Sequence, residues 1–297
     1  MFPRGPETTR RPADPERPMT ALPRPLALVV CLAALAVPAH AQLAEGGART
    51  LGLGRAGVAL GGEAWGHTNP AARASLAEGR AGVQASQAFG LGELRMGALA
   101  AALPTALGAV GLEARTYGFS ERSETRVRVG LARAVPLSRS RRLDVGIALG
   151  VESAATAGFE TETALLLDIG VQGQVLPGLR AGLAGRNLTG LGRSDDDDGR
   201  LSASTVPGLT VGVAYRPSDL ALVVVDADQD LDFGLSVRAG VEVTPVEALA
   251  LRAGVSTRPT RFSGGVGVRA GPLRADLAVE VHEVLGVTPA VGVEVGF

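Results

Sequence analysis

Side chains that could carry out chemistry are scarce in this chain. The histidines are His40, His67 and His282, and Cys31 is the single cysteine. Covalent catalysis needs a nucleophile and a base within hydrogen-bond reach, and no Gly-x-Ser-x-Gly motif marks a hydrolase serine. Ser256 and His282 are predicted to point to the same side of a sheet, but two strands apart and at no evident common height. We therefore expect no enzyme activity.

Metal and cofactor chemistry is equally weakly indicated. The four aspartates at 195–198 could be interpreted as a Ca²⁺ loop, because hard cations prefer oxygen ligands. The run lacks the alternating spacing and the distal glutamate of a dedicated site, and blocks of like charge are usually solvated loops. His282, between Glu280 and Glu283, is expected to hydrogen-bond a neighbouring carboxylate. No metal site and no cofactor is predicted.

The charge balance argues against a nucleic-acid partner. The formal net charge is −1, and all 29 basic residues are arginine. A nucleic-acid-binding protein would show a basic excess on one face or along one segment. None is predicted here.

The N-terminus is typical of a secretory signal peptide. Arg24 precedes an apolar run over 26–37, and Ala39, His40 and Ala41 form a small-x-small cleavage pattern before residue 42. The run is too short to span a bilayer, which takes about 20 apolar residues. We therefore expect residues 1–41 to be removed near Ala41.

Two details concern this leader. Translation starts at Met1 or at Met19, because the segment from Met19 onward is already a complete signal. Cys31 follows Val30, where a lipoprotein signal would need a small residue, so Cys31 is interpreted as apolar filler. The mature chain then contains neither disulfides nor thiolate chemistry.

Beyond residue 80, apolar residues recur with a period of two. Along 143–151 the odd positions hold Leu, Val, Ile, Leu and Val, and the even positions hold Asp, Gly, Ala and Gly. Segments 235–243, 249–255 and 275–281 repeat the pattern, and the last segment ends at Phe297. Such alternation predicts strands. A face of glycines and paired charges opposite an apolar face suits a polar lumen and a lipid-facing exterior.

The segments predict an all-β fold, a 14-stranded antiparallel up-and-down transmembrane β-barrel over 80–297. An even strand number is expected when both termini lie on the periplasmic side. The predicted spans are 80–89, 94–104, 107–118, 124–136, 141–155, 161–176, 179–189, 205–216, 220–227, 233–244, 248–257, 261–271, 273–283 and 287–297.

The two rims of the predicted barrel differ. Short connections after even-numbered strands are typical of the periplasmic rim; they hold Pro104, Pro136, Pro177, Pro217, Pro245 and Pro272. Connections after odd-numbered strands include the longest loop, 190–204, and are expected at the outer rim. Aromatic residues collect there, as an interfacial girdle predicts; these are Phe89, Tyr117, Phe119, Phe159, Phe233 and Phe262. The periplasmic end is marked only by Tyr215 and Phe297.

Even-numbered positions are predicted to face the lumen. They carry both signs of charge, which favours a cross-strand lattice of ion pairs over a charge-selective ring; charges that merely hydrate the lumen are the alternative. The basic members are Arg126, Arg128, Arg180, Arg186, Arg238, Arg252 and Arg274. The other members are Asp144, Glu152, Asp168, Glu242, Asp276, Glu280, His282 and Glu294.

Residues 42–79 differ from the rest, because they are rich in Gly and Ala without clean alternation. We predict a hatch that fills or caps the lumen; a disordered periplasmic tail is the alternative. The run GLGRAGVALGGEAWGHTNPAARASL resembles the N-terminal hatch of the FadL superfamily of outer-membrane proteins. The residues that carry this resemblance are Gly52, Gly54, Arg55, Ala56, Asn69, Pro70 and Ala71.

The C-terminal third resembles the PorV/PorQ branch of that superfamily. The matching runs are GRNLTG at 185–190, LRAGVS at 251–256 and DLAVEVHEVLGVTPAVGVEVGF at 276–297. Where relatives usually carry Tyr in the penultimate strand, this chain has Leu277 and Ala278. Phe297 resembles the terminal aromatic by which the barrel-assembly machinery recognises its clients, although any apolar residue could finish the lipid-facing band.

The resemblance implies a location in the bacterial outer membrane and two classes of function. The PorV-like function is a partner barrel in type IX or similar secretion or surface export, which would bind secreted client proteins. The alternative is a plugged transporter for small hydrophobic molecules, as in FadL-like uptake of long-chain fatty acids. Outer-membrane lipid and the assembly machinery are the expected partners in both cases.

Overall fold

The computed structural model describes residues 47–138, 141–190, 206–230 and 234–297. The predicted signal peptide with Cys31 and His40, the start of the predicted hatch at 42–46, the aspartates at 195–198 and Phe233 lie outside these ranges. Among the described residues, no helix is long and apolar enough to cross a membrane.

Fourteen antiparallel strands close into a single barrel, in which each strand pairs with its sequence neighbours and β1 pairs with β14. The predicted fold class is therefore confirmed. The strands are β1 (Arg80–Gln87), β2 (Arg95–Thr105), β3 (Gly108–Gly118), β4 (Arg122–Pro136), β5 (Arg142–Thr156), β6 (Glu162–Leu176), β7 (Leu179–Arg186), β8 (Gly208–Ser218), β9 (Ala221–Asp230), β10 (Gly234–Val246), β11 (Leu249–Thr257), β12 (Thr260–Ala270), β13 (Leu273–His282) and β14 (Gly286–Gly296).

Every predicted strand end lies within three residues of the observed one. The prediction for β7 ran too far, because Asn187 adopts a left-handed backbone conformation, with φ of 53°. A residue in that region cannot continue a strand, and a short 3-10 helix follows at Leu188–Gly190. The strand therefore ends at Arg186.

The outer face of the barrel is apolar over most of its height. Leu149 is 62% exposed, and its cross-strand partners are Val129 on β4 and Leu167 on β6. Valine and leucine occupy the same outward positions on the other long strands. Arg133 on β4 is an outward charge close to the end of its strand.

The two rims differ as the sequence suggests. We call the rim formed by the turns after the even-numbered strands the proline rim. Pro177 and Pro272 lie in these turns, and Pro104, Pro136, Pro217 and Pro245 lie within the last two residues of their strands. We call the opposite rim the aromatic rim. Its connections contain two to seven residues, except for the connection from 187 to 207.

Residues 47–79 precede β1 and form the segment that we call the plug. It begins with helix α1 (Gly47–Gly52) and contains a 3-10 helix, Pro70–Ser75. Asn69 caps this 3-10 helix, because its side-chain oxygen accepts a hydrogen bond from the backbone N–H of Ala71 at 2.9 Å. Helix α1 contacts β11–β14 and the 3-10 helix contacts β3–β6, so the plug lies inside the barrel.

Candidate functional site: the plugged lumen

The plug backbone rests directly on glycines of the inner wall. A Cβ atom at Gly146 would come within 2.4 Å of the Pro70 carbonyl carbon, and one at Gly182 within 2.3 Å of the Val58 carbonyl oxygen. The same holds for Gly240 against Leu53 and Gly254 against Gly54, whereas Gly170 leaves room for the side chain of Asn69. We call Gly146, Gly170, Gly182, Gly240 and Gly254 the glycine belt. They lie on five strands, so the plug reaches both sides of the lumen.

Apolar side chains of the plug fill the spaces beside this belt. Leu51 packs with Met96 and Ala278, and Leu53 packs with Leu222 and Val224. Ala56, one of the predicted hatch residues, belongs to the second of these clusters and is fully buried. Burial of such side chains stabilises the packed position of the plug by about 25 cal/mol per Å² of apolar surface.

Three plug arginines each pair with a carboxylate of the wall. Arg49 donates to Glu242 on β10 at 2.6 and 2.8 Å, and Arg55 donates to Glu280 on β13 at 2.7 and 2.9 Å. Arg73 pairs with Glu113 on β3. The first two pairs are bidentate, which is the strong and directional form of an arginine–carboxylate contact.

Arg49 has a second carboxylate partner, Glu63 of the plug itself. Burial opposes the charge on the guanidinium, but attraction to Glu63 and Glu242 outweighs this cost. The pKa of Arg49 therefore lies above its ordinary value, and the side chain stays charged at any physiological pH.

Backbone groups of the plug are bound as well. Asp226 on β9 accepts hydrogen bonds from the N–H groups of Gly57 at 2.7 Å and Val58 at 3.0 Å. The Asn69 amide donates to the carbonyl of Val58 at 2.7 Å and to that of Val171 on β6 at 3.2 Å. Asn69 thus links two parts of the plug to the wall.

The remaining predicted hatch residues also contact the wall. Gly52 lies 3.4 Å from the Cβ position of Gly265, and the Gly54 N–H donates to Ser263 Oγ at 3.0 Å. The Ala71 carbonyl accepts from Gln172 at 3.3 Å. The structure therefore brings Gly52, Gly54, Arg55, Ala56, Asn69, Pro70 and Ala71 to the interface between plug and barrel.

The predicted lumen charges all lie on the inner face, where most are paired. The shortest pairs between strands are Arg126–Glu152 at 2.5 Å, Arg128–Asp168 at 3.2 Å, Arg180–Asp144 at 2.8 Å, Arg186–Asp228 at 2.7 Å, Arg238–Asp228 at 2.6 Å, Arg252–Glu242 at 2.6 Å and Arg252–Asp276 at 2.7 Å. Arg274 contacts Asp276 on its own strand at 2.9 Å, and Glu294 is bound by Arg80 at 2.9 Å.

Two expectations about His282 were wrong. Its Nδ1 accepts from the backbone N–H groups of Val284 at 3.1 Å and Leu285 at 3.2 Å, so it stabilises the tight turn after β13 rather than binding a carboxylate. Ser256 and His282 also share one height, because Arg261 on β12 pairs in register with both. Arg261 separates them, and Ser256 Oγ donates instead to the Pro259 carbonyl at 3.2 Å.

The cavities at the proline rim are larger than those beside His67 of the plug. Two adjoining cavities at the proline rim measure about 510 and 260 Å³, and both reach Arg49, Gly61 and Arg216. Two cavities beside His67, lined among others by Arg128 and Arg186 respectively, measure about 30 and 40 Å³. The latter hold at most a few water molecules. A solute the size of a benzene ring therefore needs the plug to move before it can pass these positions.

Sequence reasoning missed several residues at this interface. Arg49, Arg73, Glu113 and Asp226 were not singled out, although the period of two places Asp226 on the inner face. The glycine belt was recognised only as part of a small, polar inner face. The alternation of glycine with outward leucine and valine indicates these glycines in the sequence. The plug residues that they contact, however, lie more than 70 residues away along the chain.

Comparison with known proteins supports this architecture at the level of the fold. The sequence matches no protein-family model, and no curated protein matches it. The CymD monoaromatic hydrocarbon channel is similar, with a TM-score of 0.61 and 12% identity over 84% of this chain and 97% of that chain. The Pseudomonas putida toluene transporter TodX gives a TM-score of 0.59 and 10% identity over 86% and 98%. A Pseudomonas aeruginosa FadL homologue gives 0.58 and 11% identity over 87% and 99%.

Proposed function

We propose that this protein is an outer-membrane channel for small hydrophobic molecules, closed by the plug until the plug rearranges. The observation that carries the proposal is the combination of an apolar outer face with a lumen occupied by residues 47–79. The predicted removal of residues 1–41 near Ala41 belongs to the same proposal, because export is the first step towards an outer membrane.

The outer face supports the membrane location. Outward positions such as Leu149, Leu165 and Val211 are more than half exposed, and soluble monomeric proteins rarely expose contiguous apolar patches larger than a few hundred Å². The apolar band of an outer-membrane barrel is about 25 Å tall. The outward run from 143 to 151 spans a comparable height on a tilted strand.

The substrate class is proposed from the similar barrels, two of which are described as a toluene transporter and a monoaromatic hydrocarbon channel. The identities to them are 12% or less, so the likeness supports a shared fold, and the substrate needs its own test. That test is uptake of radiolabelled toluene by cells that express the full chain, compared with cells that carry the empty vector.

Faster toluene uptake than in the control cells supports the proposal, whereas equal uptake contradicts the substrate class. Benzoate, which adds one negative charge to the same ring, is the control solute. A channel without selectivity would pass both molecules equally, and the proposed channel passes toluene faster.

The PorV/PorQ assignment and the secretion role stay predictions. A partner barrel would need a surface that binds client proteins, and most connections at the aromatic rim contain only two to seven residues. This geometry favours the transport function. If a secreted protein co-purified with the chain, and shortening of 187–207 abolished this co-purification, the secretion role would be favoured over transport.

A further inference from the structure

The larger of the two cavities at the proline rim has more cationic than anionic side chains in its wall. It measures about 510 Å³ and is lined by six arginines. Arg80, Arg269 and Arg274 come from β1, β12 and β13, and Arg216 comes from β8. Arg49 of the plug and Arg252 of β11 complete the set.

Two of these arginines stand directly opposite each other. Arg269 on β12 and Arg274 on β13 are register partners, so their side chains share the inner face at one height. Like charges in directly opposed positions destabilise a sheet. Such a pair needs negative charge beside it to offset the repulsion, and Glu294, the register partner of Arg274 on β14, supplies part of it.

The described residues leave part of this need unmet. Arg274 binds Asp276 through Nε at 2.9 Å, but its Nη2 atom is buried without a hydrogen-bond partner. Arg269 makes no ion pair with any residue in the described ranges. A buried N–H group without a partner costs about 1–3 kcal/mol, and Arg274 is one of the residues that line the cavity.

The other carboxylates near the cavity either bind other arginines or lie in exposed turns. Glu63 and Glu242 bind Arg49, and Glu294 binds Arg80. Asp219 and Glu247 also line the cavity, but they are exposed residues of the turns after β8 and β10. No ion pair joins them to Arg269 or Arg274 within the part of the chain that the structure describes.

We propose that this cavity binds the oxyanion of a small molecule, a carboxylate or a phosphate, between Arg269 and Arg274. Guanidinium groups match both oxyanions in a bidentate geometry. The volume lies within the usual range for small-molecule sites, about 300–1,000 Å³. Leu220 in the turn after β8 also lines the cavity and offers an apolar surface to a short tail. The site goes beyond the proposed transport and does not depend on it.

Trp65 provides the test, because it is the only tryptophan of the chain and shares a small cavity with Arg274. The detergent-solubilised full chain is titrated with sodium phosphate, acetate and hexanoate at constant ionic strength, balanced with chloride. Tryptophan fluorescence and titration calorimetry are followed together. We expect saturable binding of at least one of these anions and at least tenfold weaker binding in R269Q and in R274Q.

Arg133→Gln is the matched control, since Arg133 is an exposed arginine on the outer face. If only phosphate binds, the ligand is a phosphate. If acetate and hexanoate bind, the ligand is a carboxylate, and tighter binding of hexanoate than of acetate shows that the ligand carries an apolar tail. The proposal is overturned if none of the three anions saturates, if R269Q binds as tightly as the parent, or if R133Q weakens binding as much as R269Q does.

Discussion

At the scale of single residues, the distinction that matters most is between inward and outward glycines. A Cβ atom at Gly240 would lie 2.4 Å from the Leu53 carbonyl oxygen, whereas one at Gly264 on the outer face would meet only the Arg252 carbonyl oxygen at 3.8 Å. The neighbour of Gly240 is plug backbone, which cannot move aside without leaving its place. The inner glycines are therefore part of the plug's binding site.

We expect Gly240→Ala to weaken plug packing by about 1–3 kcal/mol, the usual cost of overpacking. Gly264→Ala should change stability by less than about 0.5 kcal/mol. Acrylamide quenching of Trp65 measures the exposure of the plug directly, and it should increase in G240A only. Equal quenching in the two variants would contradict the role of the glycine belt.

The ion pairs of the plug make a second residue-scale prediction. Glu242→Gln removes the carboxylate that binds both Arg49 and Arg252, so two buried guanidinium groups lose a partner. We expect a loss of about 3 kcal/mol and faster proteolysis within 47–79. Glu247→Gln, at an exposed turn, is the control. A protease-resistant plug in E242Q would show that apolar packing alone holds it.

Phe297 remains a predicted assembly signal. It is 66% exposed, and its backbone N–H donates to the Gly79 carbonyl at 2.9 Å. Deletion of Phe297 should lower the amount of heat-modifiable, folded protein in the outer membrane and leave signal cleavage unchanged. Phe297→Tyr keeps an aromatic terminus and should assemble normally. If the deletion assembles as fast as the parent, only a packing role remains.

At the scale of elements, strand register determines which side chains meet lipid. Leu149 lies near the middle of an outward run, and Val135 lies close to the proline rim. An arginine at mid-bilayer costs about 2–4 kcal/mol, and near the interface about 0–1 kcal/mol. Leu149→Arg should therefore destabilise reversible folding in lipid far more than Val135→Arg. Similar effects would contradict the membrane position.

Gly150 faces inward but is not a suitable inward control for Leu149. A Cβ atom there would lie 2.6 Å from Arg128 Cγ and 2.7 Å from the Val127 carbonyl oxygen. The alternation of the sequence shows correctly that Gly150 faces inward. It does not show that the stem of Arg128 already occupies this space.

This contrast indicates how far the sequence predicts the fold and the site. Strand number and register follow from local alternation, because a period of two on each segment is set by the two environments of the wall. Contacts such as Arg49 with Glu242 or Asp226 with Gly57 join residues more than 160 positions apart. Which plug residue meets which wall residue depends on how the plug is oriented inside the barrel. A local sequence pattern does not predict this orientation.

At the scale of the whole molecule, the protein is a closed wall around a bound segment of its own chain. Apolar packing, the glycine belt and three arginine–carboxylate contacts fix the plug at many points. Passage of a solute therefore requires a coordinated displacement of the plug. We propose that this displacement opens the channel.

A reversible disulfide between plug and wall tests whether plug displacement opens the channel. The Cβ atom of Ala48 lies 3.7 Å from the Cβ position of Gly292 on β14, which suits a disulfide. Ala48→Cys with Gly292→Cys, in a Cys31→Ala background, joins the plug to the wall; each single cysteine variant is a control. In proteoliposomes we expect the oxidised double variant to lose toluene uptake and reduction to restore it. Equal uptake by the oxidised and reduced forms would show that displacement of the plug does not open the channel.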